Sequence, residues 1–430
     1  MATLKGSAVL LAYAYPPLAV IGAQRAYRIS QALLKRFDKV YVITLDSKKL
    51  SASFLDEIYD AKIINNDQII LIKSLPILGA IEYSEKQSLI KKSLFRIFNH
   101  LFCSVGIDWI WAVKKSLKNL DKNLNIKLLV ATGSPFITFA PTIKWARLNS
   151  CKVILDYRDL WTQNPRTSYY KFFRKINYWL LECKLKNRAD LLTTVSIGCQ
   201  KTLKTKNLNT PVKVLYNTPD KEYIDYFNSI KEVQKGQLNH YEGFKNIVFT
   251  GQIYKDCTFK PVLQALSRIS PILSSRIKIH YYGPNSKLAK MEFSYFGLEN
   301  ILVDHGKVSK QKSIQAILSA DLLLSLIDSG DFETLEPSRS GIITTKIFDY
   351  LLSGLPILNI GSPNLEIITF AKLIGYKDFQ NIQAKSLNEL KDFFQKFILN
   401  SEKLPINNIH MPDFSDNFTS ILDDVFKSVY

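Results

Sequence analysis

Short apolar runs alternate with amphipathic stretches along most of the chain. The runs at 7–13, 40–44, 69–72, 128–132, 153–155, 191–195 and 212–215 are too short for buried helices and read as interior strands. Between them, apolar residues recur every three or four positions over 23–36, 88–103, 108–120, 139–148, 169–187 and 197–205, which predicts helices. A second series of strands follows at 247–250, 277–282, 301–304, 322–326 and 357–360, with helices at 260–269, 310–318 and 344–352. Strands joined by helical crossovers form parallel sheets covered on both faces, so the pattern implies two Rossmann-like α/β domains facing a cleft. We place the first at 1–217, a polar, weakly periodic linker at 218–243, the second at 244–405, and a C-terminal helix within 406–430. Substrates of such folds bind beyond the carboxyl ends of the strands, which makes the cleft between the domains the expected site.

The stretch 341–360 concentrates several signals. Ile347, Phe348, Leu351 and Leu352 share one helical face, Gly354 suits the left-handed position past a helix end, and Pro356 prevents continuation. A helix opening after Gly341 turns unpaired N–H groups and its positive dipole end outward. Thr345 and Lys346 stand at that end, which favours an anion such as a phosphate; Asp349, one turn on, can accept a sugar hydroxyl. An ordinary α/β helix with a glycine cap has the same pattern.

The 430 residues exceed one compact core and suggest domains of about 200 residues each. Five scattered cysteines without a C-x-x-C pair fit a reducing cytosol, and five dispersed histidines give a metal site little support. The apolar run at 8–12 is too short for a signal peptide, and no run of about 20 apolar residues suggests a membrane span. The net charge of +19 is unevenly shared: residues 1–217 hold 34 Lys+Arg against 14 Asp+Glu, the remainder 23 against 24. The first domain therefore carries the whole excess and should meet an anionic partner. In 88–103, Ile90, Leu94, Ile97, Phe98 and Leu101 oppose Lys92, Arg96, Asn99 and His100, the pattern of an interfacial membrane helix or of a core helix with a solvated basic side. No nucleic-acid motif accompanies the charge, so no nucleic-acid partner is expected.

Four strand-to-helix junctions carry candidate chemistry. The first, 14–25, holds Gly22 for close backbone approach and Arg25 for anions, without the G-x-G-x-x-G of a dinucleotide loop. The second, 131–136, is small and holds Ser134. The third places Asp156, Arg158 and Asp159 directly after an apolar strand, as a structural network or as catalytic groups. The fourth opens the second series with Gly251, Lys255 and, further on, Lys260, either of whose ammonium groups could reach a pyrophosphate.

Taken in order, Tyr15-Pro-Pro, Gly22, Arg25, Thr132-Gly-Ser-Pro-Phe, Asp156-Tyr-Arg-Asp-Leu-Trp, Asn217, Gly251 and Thr345-Lys-Ile-Phe-Asp-Tyr-Leu followed by Gly354-Leu-Pro-Ile-Leu resemble the GT-B-fold retaining glycosyltransferases of the group 1, family-four kind, especially bacterial enzymes of surface-polysaccharide synthesis. The resemblance implies transfer of a sugar from a nucleotide-sugar to a lipid-linked saccharide, without metal or other cofactor. It places the donor in the second domain and the acceptor in the first, on the inner face of the plasma membrane, and implies that the C-terminal helix packs back on the first domain. Gly22, Gly251, Lys255, Lys260, Thr345 and Lys346 would meet the diphosphate, Gly306, Val308 and Asp349 the nucleoside, and Arg25 and Ser134 the acceptor side. Arg158, Asp159 and Asp156 would stand at the reacting centre.

The chain departs from the family pattern at three points. The first of two glutamates spaced along the last motif falls on Gly341, so its sugar contact is missing or is replaced by backbone N–H groups or Glu336. Gln252 stands where relatives often have Arg, and Arg158 where an active-site His is common. A guanidinium stays protonated and is a poor base, so proton removal falls to Asp159, Asp156 or the leaving phosphate. These departures motivate a second reading, a catalytically weakened GT-B protein acting as a binding or scaffold subunit. A nicotinamide-dependent enzyme is disfavoured by the missing glycine fingerprint.

Overall fold

The computed structural model describes residues 4–18, 20–51, 55, 66–76, 90–91, 93–94, 97, 108–120, 123–164, 172–204, 208–234, 243–253, 257–327, 337–400 and 409–427. The chain divides into two compact units, Met1–Asn217 with Asp413–Tyr430, and Thr218–Pro412.

The first unit is built on seven parallel strands: β1 (Leu4–Ala12), β2 (Phe37–Leu45), β3 (Ile69–Ser74), β4 (Ile126–Gly133), β5 (Lys152–Tyr157), β6 (Leu191–Thr194) and β7 (Val212–Val214). They lie in the order β3-β2-β1-β4-β5-β6-β7. Alternation along β1 sends Val9 and Leu11 to one face and Ala8, Leu10 and Ala12 to the other, and both faces are buried. The first face packs against α2 (Trp109–Lys118), α3 (Phe139–Leu148), α4 (Phe172–Lys186) and α5 (Ile197–Leu203). The second packs against α1 (Ile21–Leu34) and a helix from the far end of the sequence, Phe414–Lys427. Phe414, Phe418 and Leu422 of that helix are buried, each contributing roughly 1.5–3 kcal/mol. Ion pairs Arg36–Asp423 and Lys213–Asp424 hold its outer side.

The second unit repeats the plan with β8 (Lys245–Thr250), β9 (Ile277–Tyr282), β10 (Leu302–Asp304), β11 (Leu322–Leu326), β12 (Ile357–Ile360) and β13 (Phe379–Ile382), in the order β10-β9-β8-β11-β12-β13, all parallel. Its longer helices are α6 (Lys221–Gln234), α7 (Lys260–Leu266), α8 (Ser286–Tyr295), α9 (Lys310–Leu318), α10 (Lys346–Ser353), α11 (Glu366–Leu373) and α12 (Leu387–Leu399), which makes the returning Phe414–Lys427 helix α13. In both units the strand order reverses direction beside the first strand, the topological switch point at which ligands of open α/β sheets bind.

Two expectations need correction or restriction. The expected linker 218–243 contains helix α6, whose Phe227 and Ile230 are buried against Ile314 of α9, with Leu352 of α10 alongside. The amphipathic stretch 88–103 lies largely outside the described residues; within it, Ile90, Leu94 and Ile97 are exposed.

Candidate functional site

In the first unit the candidate residues gather at the carboxyl ends of β1, β4 and β5. Asp156 is fully buried and accepts four hydrogen bonds. Arg25 supplies two of them, Nε to Oδ2 at 2.9 Å and Nη2 to Oδ1 at 2.6 Å; the hydroxyls of Thr132 (2.8 Å) and Thr193 (2.7 Å) supply the others. That fills the lone-pair sites of the carboxylate. Burial opposes its charge, but Arg25 and the two hydroxyls outweigh it and hold the carboxyl below the usual range. Arg25 also donates to Leu215 O and Asn217 Oδ1 and stacks over Phe414 of α13. The geometry therefore favours a structural role over a catalytic one for Asp156, in a network with Arg25, Thr132 and Thr193 and not the one with Arg158 and Asp159 that the sequence suggested. It also removes Arg25 from the acceptor side, since its guanidinium is buried and engaged.

Arg158, Gly22 and Ser134 are brought together. A Cβ placed on Gly22 would lie 1.4 Å from Arg158 Nη1, so the guanidinium occupies the space that a side chain there would take. The Arg158 Nη2 group reaches toward Ser134 O at 3.5 Å. Gly22 lies in the first turn of α1, which has no side-chain cap and no acidic residue in that turn. A guanidinium and a positive helix end thus adjoin, an arrangement that an anion stabilises. Asp159 is exposed. The loop is pinned by Trp161, stacked on Phe136 at 5.7 Å.

In the second unit the candidates lie where β8 and β10 end and α10 begins. Gly251 has φ +110°, a conformation open to glycine, and faces the stem of Lys346 at 3.4 Å from where its Cβ would be. The Lys346 ammonium sits 3.6 Å from the centroid of Phe249. Burial lowers its pKa to about 7. Among the described residues it has neither a hydrogen bond nor an ion pair. Helix α10 follows Thr345 at its N-cap and ends on Gly354 at φ +76°, as the sequence indicates. Tyr350 ties the helix to β8 by accepting the Thr250 N–H at 2.9 Å.

Asp349 is buried, and both its oxygens are engaged: Oδ1 accepts from the Tyr223 hydroxyl at 2.7 Å, Oδ2 from Lys310 Nζ at 2.6 Å. Each oxygen keeps one further lone-pair position for another donor. The backbone N–H of Gly306 donates to Asp304 Oδ1, which takes it away from a nucleobase. Val308 is partly buried and Lys260 is exposed at the first turn of α7. Lys255 and Glu336 lie outside the described residues.

Sequence reasoning missed Phe249 as the platform for Lys346, and Tyr223 and Lys310 as partners of Asp349. The spacing of Tyr223, Phe227 and Ile230 is a helical signal that could have revealed α6 and brought Tyr223 into view.

No protein-family model matches this chain, and no curated protein matches it by sequence. Solved structures do match it along nearly its whole length. HepE from Anabaena, solved in complex with UDP, shares 12% identity over 98% of this chain and 95% of that one, with a TM-score of 0.56. Sucrose-phosphate synthase from Thermosynechococcus elongatus shares 9% over 99% and 96%, with a TM-score of 0.61. WaaG, a glycosyltransferase involved in lipopolysaccharide biosynthesis, shares 11% over 97% and 95%, with a TM-score of 0.53. At these identities the likeness is one of fold: the chain has the GT-B fold, two parallel α/β units of Rossmann type.

Proposed function

We propose that this protein is a glycosyltransferase that moves a sugar from a nucleotide-sugar to a saccharide acceptor with retention of anomeric configuration. The observation that carries the reading is Lys346. Its ammonium is desolvated over Phe249 and lies beside a glycine turn at a helix start, without an anionic partner among the described residues. A cation so placed is stabilised by an incoming anion, and a diphosphate leaving group supplies one. The fold neighbour HepE, solved with UDP and with UDP-glucose, supports a nucleotide-sugar as donor.

In this reading Thr345, Lys346 and Gly251 receive the diphosphate, and Asp349 uses its remaining lone pairs for ribose hydroxyls. In the first unit Arg158 holds an anionic part of either substrate. Because Asp156 is saturated, removal of the acceptor proton falls to Asp159 or to the leaving phosphate. The leaving diphosphate departs and the acceptor hydroxyl attacks from the same face, with positive groups stabilising the phosphate charge.

We place the acceptor on a lipid and the enzyme on an anionic inner-leaflet surface, in bacterial surface-polysaccharide synthesis. The excess of basic residues in 1–217 supports this. So does α4, where Ile176, Trp179 and Leu180 stand exposed at helical spacing. No helix among the described residues is long and apolar enough to cross a membrane.

A thermal-shift panel of UDP, GDP, ADP, CMP and NAD, with Lys346→Ala beside wild type, tests the reading. A ligand at about 100 times its dissociation constant stabilises by roughly 2.7 kcal/mol. A shift with a nucleoside diphosphate, reduced in the variant, is expected. No diphosphate response, or a shift with NAD alone, would sink it.

A further inference from the structure

Three side chains in the second unit form a hydrogen-bonded line that ends beside Gly306. His280 Nε2 lies 3.0 Å from Asn246 Oδ1, and His280 Nδ1 lies 3.0 Å from His305 Nε2. The direction of the protons is fixed from one end. The Asn246 amide group donates to Phe244 O at 3.2 Å and Asp321 Oδ2 at 3.4 Å, both of which can only accept. Asn246 Oδ1 is therefore the acceptor, and His280 must present Nε2–H to it. A neutral His280 then has a lone pair at Nδ1, which His305 meets with Nε2–H. His280 stays neutral: burial, then His305 and Lys278, push its pKa down to about 4.

The consequence falls on His305. With its proton committed to Nε2, a neutral His305 carries a lone pair at Nδ1. The ring cannot readily turn over to exchange the two nitrogens, because Tyr282 stacks on it at 4.1 Å with an interplanar angle of 2°. The residue is exposed and follows β10 at the carboxyl edge of the sheet, in the same unit as Lys346 and Asp349. Ligands of such sheets bind beyond the carboxyl ends of the strands at the switch point, here beside β8, and β10 stands two strands from it.

We propose that His305 is a base-selecting residue: its Nδ1 accepts the ring N–H of a lactam base (uracil, thymine or guanine) and disfavours cytosine and adenine, whose corresponding ring nitrogen is itself an acceptor. The inference rests on the nucleotide-sugar reading and names the class of nucleotide that this unit takes. His280 and Asn246 act through His305 as positioning residues. A site built to meet an N–H discriminates against a ligand that lacks it, because two facing lone pairs repel and the hydrogen bond is lost.

The test is calorimetric titration of wild type, His305→Phe and His280→Phe with UDP, N3-methyl-UDP, GDP, CDP and ADP. Phenylalanine at 305 keeps a flat ring against Tyr282 and removes the lone pair. Wild type should bind UDP or GDP about tenfold more tightly than CDP, ADP and N3-methyl-UDP, the scale of one hydrogen bond. In His305→Phe the preference should collapse, with CDP affinity retained. His280→Phe should reduce the preference, because it releases the tautomer. Nitrogen-15 shifts of wild-type His305 give a check that needs no variant: Nδ1 should resonate as an unprotonated nitrogen. Equal binding of UDP and CDP by wild type, a preference that survives His305→Phe, or a protonated Nδ1 in the neutral ring would each overturn the inference while leaving the transferase reading intact. Failure of all five nucleotides to bind would overturn both.

Discussion

The guanidinium of Arg158 stands where a side chain on Gly22 would have to be. The two positions, one at the start of α1 and one after β5, are therefore a single steric unit. Gly22→Ala should displace Arg158 and, on the proposed reading, lower glycosyl transfer by about a hundredfold, the scale of an ångström-sized misplacement at a reacting centre. Arg158→Ala should cost a similar factor, and the double variant little more than either alone. Rates in a double-mutant cycle check this; additive losses would mean that the two act separately.

Lys346 gives the protein a pH signature. Its pKa, lowered from 10.5 to about 7, means that the folded chain holds fewer protons than the unfolded chain between those values. Stability from this group therefore rises with pH across that window. On the proposed reading a diphosphate bound at Lys346 restores the charge, so wild type should take up protons when it binds UDP near pH 8, and its affinity should fall as pH rises above about 7. Titration in two buffers of different ionisation enthalpy measures the uptake, which Lys346→Met should abolish.

Arg25 and Asp156 set an acid limit on the first unit. Removing one member of a buried, hydrogen-bonded pair strands the other charge, so Arg25→Met should cost about 3–5 kcal/mol in denaturant unfolding. Asp156 is depressed below 3.8, so its contribution is complete above that pH and is lost as the pH falls through the lower folded value. The acid midpoint of Arg25→Met should accordingly lie higher than that of wild type.

Asp349 separates a ligand contact from a packing contact. Tyr223→Phe removes one neutral donor to a charged acceptor and should cost about 1.5–3 kcal/mol of stability with nucleotide affinity unchanged. Asp349→Asn should weaken UDP binding by about tenfold as well. If both variants bind UDP like wild type, Asp349 serves only to hold α6 and α9.

The alternation of apolar runs with amphipathic stretches was enough to read the first sheet and five of the six strands of the second, because interior parallel strands and their crossovers leave periods that survive in one sequence; β13, a half-buried edge strand without an apolar run, left no such trace. The stretch 341–360 was legible for the same reason, down to Gly354 at its helix end. What stayed hidden depended on partners far apart in the chain. Nothing local to Asp156 says that Arg25, Thr132 and Thr193 converge on it, and so the choice between a structural and a catalytic carboxylate stayed open. His280 and His305 looked dispersed because one lies within β9 and the other just past β10, and only the register of the two strands, with His280 opposite Val303, brings the rings within reach of each other. Helix α6 was read as a linker because its polar residues outnumber the few apolar positions that carry its packing.

The return of α13 to the first unit has a bearing on synthesis. The apolar face of β1, β2 and α1 exists as soon as the first unit has been made, yet its cover, with Phe414, Phe418 and Leu422, is encoded beyond the whole second unit. At about 5–20 residues per second, the ribosome leaves that face bare for some tens of seconds. The half of the molecule that begins first is thus finished last. Damage near residue 418 should surface as misfolding of the amino-terminal half.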